Sequence, residues 1–234
     1  MDRTARFNPF DQKDYQPMKP SAPDYRLYLV TDRTLARGRA VPEVVSAAVS
    51  GGVTCVQARE KTAGAREFLA EVRLTLRVLK GRGVPLVVND RVDVALAAGA
   101  DGVHVGQTDL PVTDVRRLVG EKMIVGVSVE SVDDAVAAER DGADYVSVSP
   151  VYLTPTKTDT AAGLGPEGVA AVRAAVQCPV IAIGGLNRET VGGIVRAGAD
   201  GAAVVSAVMS APDPAAAARE LREIIDAARG GKAK

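Results

Sequence analysis

Ala98-Gly99-Ala100-Asp101 returns almost letter for letter as Asp141-Gly142-Ala143-Asp144 and as Ala197-Gly198-Ala199-Asp200, with a looser copy at Ser50-Gly51-Gly52-Val53. Each copy follows an Ala-rich stretch of helical character and precedes a short apolar run. Glycine sits where a helix ends, the place where the backbone needs a left-handed residue. The phrase therefore marks one boundary, helix to strand, four times over. It sets the phase of a repeat and shows which residues lie at the far ends of the strands that follow.

Eight β-rich runs fit that phase: residues 26–31, 54–59, 85–89, 102–105, 124–127, 145–149, 180–183 and 202–206. Between them lie helical stretches, among them 41–50, 65–81, 92–98, 132–141 and 189–197, and a last helix spans 214–229. The runs are mostly apolar rather than alternating, as expected of parallel strands buried on both faces. Eight β–α units in roughly 210 residues predict an α/β fold, a closed (β/α)8 TIM barrel in a single domain. A doubly wound open sheet is the runner-up. It usually has fewer strands and a Gly-rich first turn, which is absent after Val30.

The chain has 234 residues, enough for one such barrel. Residues 25–230 are assigned to it. Residues 1–24 form an extension carrying Pro9, Pro17, Pro20 and Pro23 and little periodicity. A flexible tail is the plainer reading of it, a packed arm or dimer contact the other. With 29 basic and 29 acidic residues the net charge is zero, so no broad basic face for nucleic acid is implied. No apolar run is long enough to span a bilayer, which argues against a membrane partner. The first residues lack the apolar core of a secretory signal, and the expected location is cytoplasmic. Cys55 and Cys178 sit in apolar runs and read as reduced core thiols. A homo-oligomer is compatible with all of this and is not decided by it.

The chemistry of a barrel lies at the C-terminal ends of its strands. After the second run comes Gln57-Ala58-Arg59-Glu60-Lys61, and period-two alternation puts Gln57, Arg59 and Lys61 on one face. Two cations there suit a polyanion, against the alternative of a solvated surface pair. Asn89-Asp90-Arg91 ends the third run and His104-Val105-Gly106-Gln107-Thr108-Asp109 follows from the fourth. Asp90 alone could cap a helix, and Asp109 alone could be a turn residue before Pro111. As a pair at adjacent strand ends they suit one Mg²⁺ with phosphate oxygens. His104, the only histidine, tempts assignment as a base, but its place inside a strand favours a structural role. Ser128 ends the fifth run. The long connection through Thr154, Pro155, Thr156 and Lys157 offers hydroxyls and a cation, with Gly163 and Gly165 downstream, as in a lid. Gly184-Gly185 and Val205-Ser206 end the last two runs, where many barrels bind a phosphate through backbone N–H groups. Two anion sites in one mouth, one of them a diphosphate beside a metal, suggest a transferase with a diphosphate leaving group.

These residues resemble thiamine phosphate synthase. The matching stretches are Tyr28-Leu29-Val30-Thr31-Asp32, Gln57-Ala58-Arg59-Glu60-Lys61, Asn89-Asp90-Arg91, the segment from Gly102 to Asp109, Gly126-Val127-Ser128, Thr154-Pro155-Thr156-Lys157 and Ile183-Gly184-Gly185. They occur in the family's order across roughly residues 25–210, and seven together are strongly specific. The resemblance implies a reaction in which hydroxymethylpyrimidine diphosphate loses pyrophosphate and thiazole phosphate captures the pyrimidine methylene. By position, Gln57, Arg59, Lys61, Asn89, Ser128 and Lys157 would hold the pyrimidine diphosphate, within the binding stretches that include Ala58 and Glu60. Thr154, Thr156 with Pro155 between them, Gly185, Val205 and Ser206 would hold the thiazole phosphate. Asp90 and Asp109 would hold Mg²⁺. Arg59, Lys61, Ser128 and Lys157 would act on the reacting diphosphate. Two positions depart from the family's habit: Ala58, often Leu, and Leu153, often a residue such as Pro.

Three rivals on the same barrel are weaker. A thiazole tautomerase would need a histidine after the sixth run, a phosphosugar epimerase would need a histidine set or a paired acid and base, and a non-catalytic sensor would not need both carboxylates and cations. No strand-top residue reads as a nucleophile. Ser128 and Ser206 are taken to lack a neighbouring histidine, so dissociation of the diphosphate before capture is the expected course.

Overall fold

The structure is a computed structural model, and it describes residues 23–152 and 163–230. Among these, eight parallel strands close into a barrel in chain order: β1 (Leu27–Val30), β2 (Cys55–Ala58), β3 (Leu86–Asn89), β4 (Gly102–Val105), β5 (Ile124–Val129), β6 (Tyr145–Val148), β7 (Val180–Ile183) and β8 (Gly201–Val204). The surrounding helices are α1 (Val41–Ser50), α2 (Ala65–Leu79), α3 (Val92–Ala98), α4 (Val112–Val119), α5 (Val132–Arg140), α6 (Gly165–Ala175), α7 (Val191–Ala197), the short α8 (Ser206–Met209) and α9 (Pro214–Gly230). The closed barrel is the predicted fold, and the open sheet is excluded. No described helix is long and apolar enough to cross a membrane.

The repeated phrase is at the bottom of the barrel, as its position demanded. Gly52, Gly99, Gly142 and Gly198 all have positive φ. The residue two places after each of them has a second task. Thr54 Oγ1 accepts the Leu27 N–H at 3.1 Å, and Asp101, Asp144 and Asp200 accept those of Leu86, Val125 and Val180 at 2.8, 2.9 and 2.9 Å. Each even-numbered strand is thus stitched at its start to the odd-numbered strand before it. Arginines reinforce the last two stitches: Arg116 reaches Asp144 at 2.8 Å and Arg173 reaches Asp200 at 2.7 Å.

The core has two layers. The outer one, between strands and helices, is aliphatic, with Val44, Phe68, Val172 and Ile225 among its buried members. The inner one fills the barrel with Tyr25, Tyr28, Val30, Cys55, Val87, Ile124, Tyr145 and Ile181. Three tyrosine rings crowd there, with centroids 4.9–6.3 Å apart. Glycine makes the room: a methyl group on Gly126 would overlap the Tyr145 ring. Above this apolar plug, at the C-terminal ends of the strands, the inward positions turn polar. Gln57, Asn89, His104 and Ser147 are all buried there.

Candidate active site at the mouth of the barrel

A cavity of about 650 Å³ opens above the plug at the C-terminal ends of the strands. Its walls bring together Gln57, Arg59, Lys61, Asn89, Asp90, Asp109, Ser128, Gly185, Val205 and Ser206. Thr154, Pro155, Thr156 and Lys157 lie outside the described residues, as does most of the loop read as a lid. Ala58 and Glu60 do not line the cavity. The Ala58 side chain packs in the outer aliphatic layer. Glu60 turns to an ion pair with Arg33 at 3.2 Å and accepts the N–H groups of Thr62 and Ala63. These N–H bonds and the charge of Arg33 outweigh its partial burial and hold its carboxyl below the usual range. The reason is the pleat: with Gln57, Arg59 and Lys61 facing inward, the residues between them face outward.

Arg59 is fixed by the segment that follows β1. Its N–H donates to Thr31 Oγ1 at 3.0 Å, and its guanidinium stands 3.5 Å from Asp32. Lys61 reaches across to Asp90, Nζ to Oδ2, at 2.6 Å. Asp90 has φ +60°, a left-handed conformation uncommon outside glycine and more often tolerated by Asp and Asn. Its carboxylate therefore serves the mouth and does not cap α3, whose N-terminus has no side-chain cap. Asp109 accepts the Gly106 N–H at 2.7 Å, so it is also a turn residue. Burial, and after it the neighbouring Asp90, raise its carboxyl above the ordinary value, against the pull of Gly106 and Lys61.

Two carboxylates that face one another in this way fit a divalent cation. Among the described residues no group of three or more His, Cys, Asp or Glu side chains is placed to hold a metal ion. The fit is accordingly to an ion that draws its remaining ligands from water and phosphate, as Mg²⁺ does. Across the cavity, Gly184 and Gly185 have φ of +107° and +65°, and α8 begins at Ser206. A side chain at 185 would strain this backbone.

One expectation is corrected. Ser128 does have a histidine beside it: His104 Nε2 lies 2.9 Å from its Oγ. His104 Nδ1 is 2.9 Å from Tyr145 Oη. The sequence hid the pair because its members are on neighbouring strands, where His104 is level with Gly126 and Ser128 is one inward position further on. Tyr28, Ser147 and Asn187 also line the cavity and were not singled out from sequence. Inward register on β1 and β6 marks the first two once the barrel is accepted.

Fold and site together define a (β/α)8-barrel enzyme whose mouth is built for anionic small molecules. The model of the thiamine monophosphate synthase family matches residues 27–208. A thiamine-phosphate synthase from Chloroflexus aurantiacus is 54% identical over 203 residues, 86% of this chain and 93% of its own length. One from Albidiferax ferrireducens is 52% identical, over 86% of this chain and 92% of its own. Among solved structures, thiamine phosphate pyrophosphorylase from Pyrococcus furiosus superimposes with a TM-score of 0.81 at 37% identity, over 88% of this chain and 97% of that one. The chain belongs to the thiamine monophosphate synthase family. Its activity is thiamine phosphate synthesis from small-molecule substrates, a transferase reaction.

Proposed function

We propose that the two sides of this one cavity divide the reaction between them. Hydroxymethylpyrimidine diphosphate lies on the β2–β5 side. There Gln57, Asn89 and Ser128 orient it, Arg59 and Lys61 meet its diphosphate, and Lys157 is assigned to the same group by the resemblance. Asp90 and Asp109 hold Mg²⁺, which when bound neutralises charge on the departing diphosphate. Thiazole phosphate lies on the β7–β8 side, its phosphate against the backbone of Gly185, Val205 and Ser206, with Thr154, Pro155 and Thr156 assigned by the resemblance. The observation that carries this reading is the convergence of the cations and the paired carboxylates on one wall, facing a left-handed Gly-Gly turn on the other.

The carbon–oxygen bond to the diphosphate breaks first, leaving the electron pair on pyrophosphate and a positive charge on the pyrimidine methylene. The thiazole nitrogen then supplies the pair for the new carbon–nitrogen bond. Arg59 and Lys61 stabilise the leaving group, and the cavity holds the thiazole next to the cation. Catalysis is charge stabilisation and positioning. Every residue assigned belongs to one chain, so the reading requires no second subunit. We place the reaction in the cytoplasm, in keeping with free thiols at Cys55 and Cys178.

Two variants test the division. Asp109→Asn should lower Mg²⁺-dependent turnover by about 100-fold or more, with the KM for thiazole phosphate little changed. Gly185→Val should do the reverse, raising that KM at least tenfold while sparing the KM for the pyrimidine diphosphate. Steady-state kinetics with each substrate varied in turn reads both. Parallel losses for both substrates in both variants would contradict two separate subsites.

A further inference from the structure

Ser128 is the last member of a buried chain. Gln57 Nε2 lies 3.3 Å from Tyr28 Oη, Tyr28 Oη lies 2.9 Å from Tyr145 Oη, Tyr145 Oη lies 2.9 Å from His104 Nδ1, and His104 Nε2 lies 2.9 Å from Ser128 Oγ. Five side chains from β2, β1, β6, β4 and β5 cross the barrel interior in this way, and both ends of the chain line the cavity. Gly126 leaves the space in which the Tyr145 ring lies.

The chain has a preferred direction. Burial raises both phenols well above their ordinary range, so each keeps its one proton. An amide nitrogen only donates, so Gln57 donates to Tyr28. Tyr28 then donates to Tyr145, Tyr145 to His104 Nδ1, and His104, carrying its proton on Nε2, to Ser128. In the opposite direction Tyr28 would accept twice, and its own proton would be left with the Cys55 thiol, a weak acceptor. A poorly paired buried donor disfavours that arrangement.

We propose that His104 is a positioning residue: held by Tyr145 as the Nε2–H tautomer, it occupies Ser128 Oγ as a donor and turns the Ser128 proton outward to the diphosphate. The inference rests on the placement of the diphosphate beside Ser128. It makes this serine a fixed hydrogen-bond donor and not a nucleophile, because an imidazole that donates to Oγ through Nε2, with Nδ1 accepting from Tyr145, has no free base to offer the Ser128 proton. The oxyanion it meets is already charged, which makes an oriented hydroxyl worth more than a freely rotating one.

His104 is the only histidine in the chain, so histidine-specific ¹⁵N labelling reports its tautomer in the native enzyme without any substitution. The expected result is the Nε2–H form. A double-mutant cycle on kcat/KM for the pyrimidine diphosphate then asks whether Tyr145 and His104 act through Ser128. Tyr145→Phe should lose about tenfold when Ser128 is present, the scale of one hydrogen bond to a charged group. In a Ser128→Ala background it should lose less than about twofold. An Nδ1–H tautomer in the native enzyme, or equal losses from Tyr145→Phe in both backgrounds, overturns the relay. A Ser128→Ala variant with unaltered kinetics beside an Nε2–H tautomer overturns instead the placement of the diphosphate, and the role of His104 with it.

Discussion

Asp109 concentrates the electrostatics of the mouth in one carboxyl. Burial and Asp90 raise it above the ordinary carboxylate value, so the folded chain keeps this proton to a higher pH than the unfolded chain does. Where the native state binds more protons, stability falls as pH rises. The metal-free protein should therefore lose melting temperature through the window just above the usual carboxylate range, and Asp109→Asn should flatten that part of the curve. Differential scanning calorimetry in chelator, across that window, reads both slopes; identical slopes would mean that the strain is absent. The residue scale is also where the sequence was least complete. Alternation alone put Gln57, Arg59 and Lys61 inside, and by the same rule it put Ala58 and Glu60 outside; those two entered the candidate site only as neighbours in a shared motif. Asp90 was legible as half of a pair, but not as a left-handed residue. The His104–Ser128 contact depends on the register of two strands, which no spacing along the chain encodes.

The elements were more legible, because they follow from local physics. Left-handed glycine at the foot of a helix is a short-range requirement, and the three Gly-Ala-Asp copies marked the starts of β4, β6 and β8 before any pairing was known. The task of the aspartate was not legible, since its partner N–H belongs to the strand before. Asp144 shows the consequence best. It accepts from Val125 N–H and pairs with Arg116, and both ends of that pair are largely buried, 13% and 17% exposed. Asp144→Ala leaves an amide and a guanidinium short of a partner, at a cost of about 2–4 kcal/mol. The melting temperature should drop by roughly 5–15 °C, while kcat and both KM values at a permissive temperature stay within about twofold of the parent. A kinetic defect as large as that of a mouth variant would show that the base of the barrel is coupled to its chemistry.

For the whole molecule, the barrel begins where Asp24 and Arg26 pair and Arg26 reaches Asp226 on α9, with the Tyr25 ring buried between them in the barrel floor. Residues 1–22 lie outside the described residues, and we take the chain before Asp24 to be an extension that the barrel does not need. Deleting Met1–Pro20 should leave the melting temperature within about 2 °C and turnover within about twofold; a larger loss in either, by calorimetry or steady-state assay, would place the extension in the working enzyme. What the barrel contributes as a whole is convergence. Residues from β2 to β5 and from β7 and β8, far apart in the chain, meet across one cavity, and a transferase that joins two phosphorylated molecules needs that arrangement. The most direct test follows both products at once by phosphorus NMR, with hydroxymethylpyrimidine diphosphate, thiazole phosphate and Mg²⁺ present together and each omitted in turn. The account predicts equal amounts of thiamine phosphate and pyrophosphate, formed only when all three are present. No thiamine phosphate from the complete mixture, or full turnover in the presence of chelator, would contradict it.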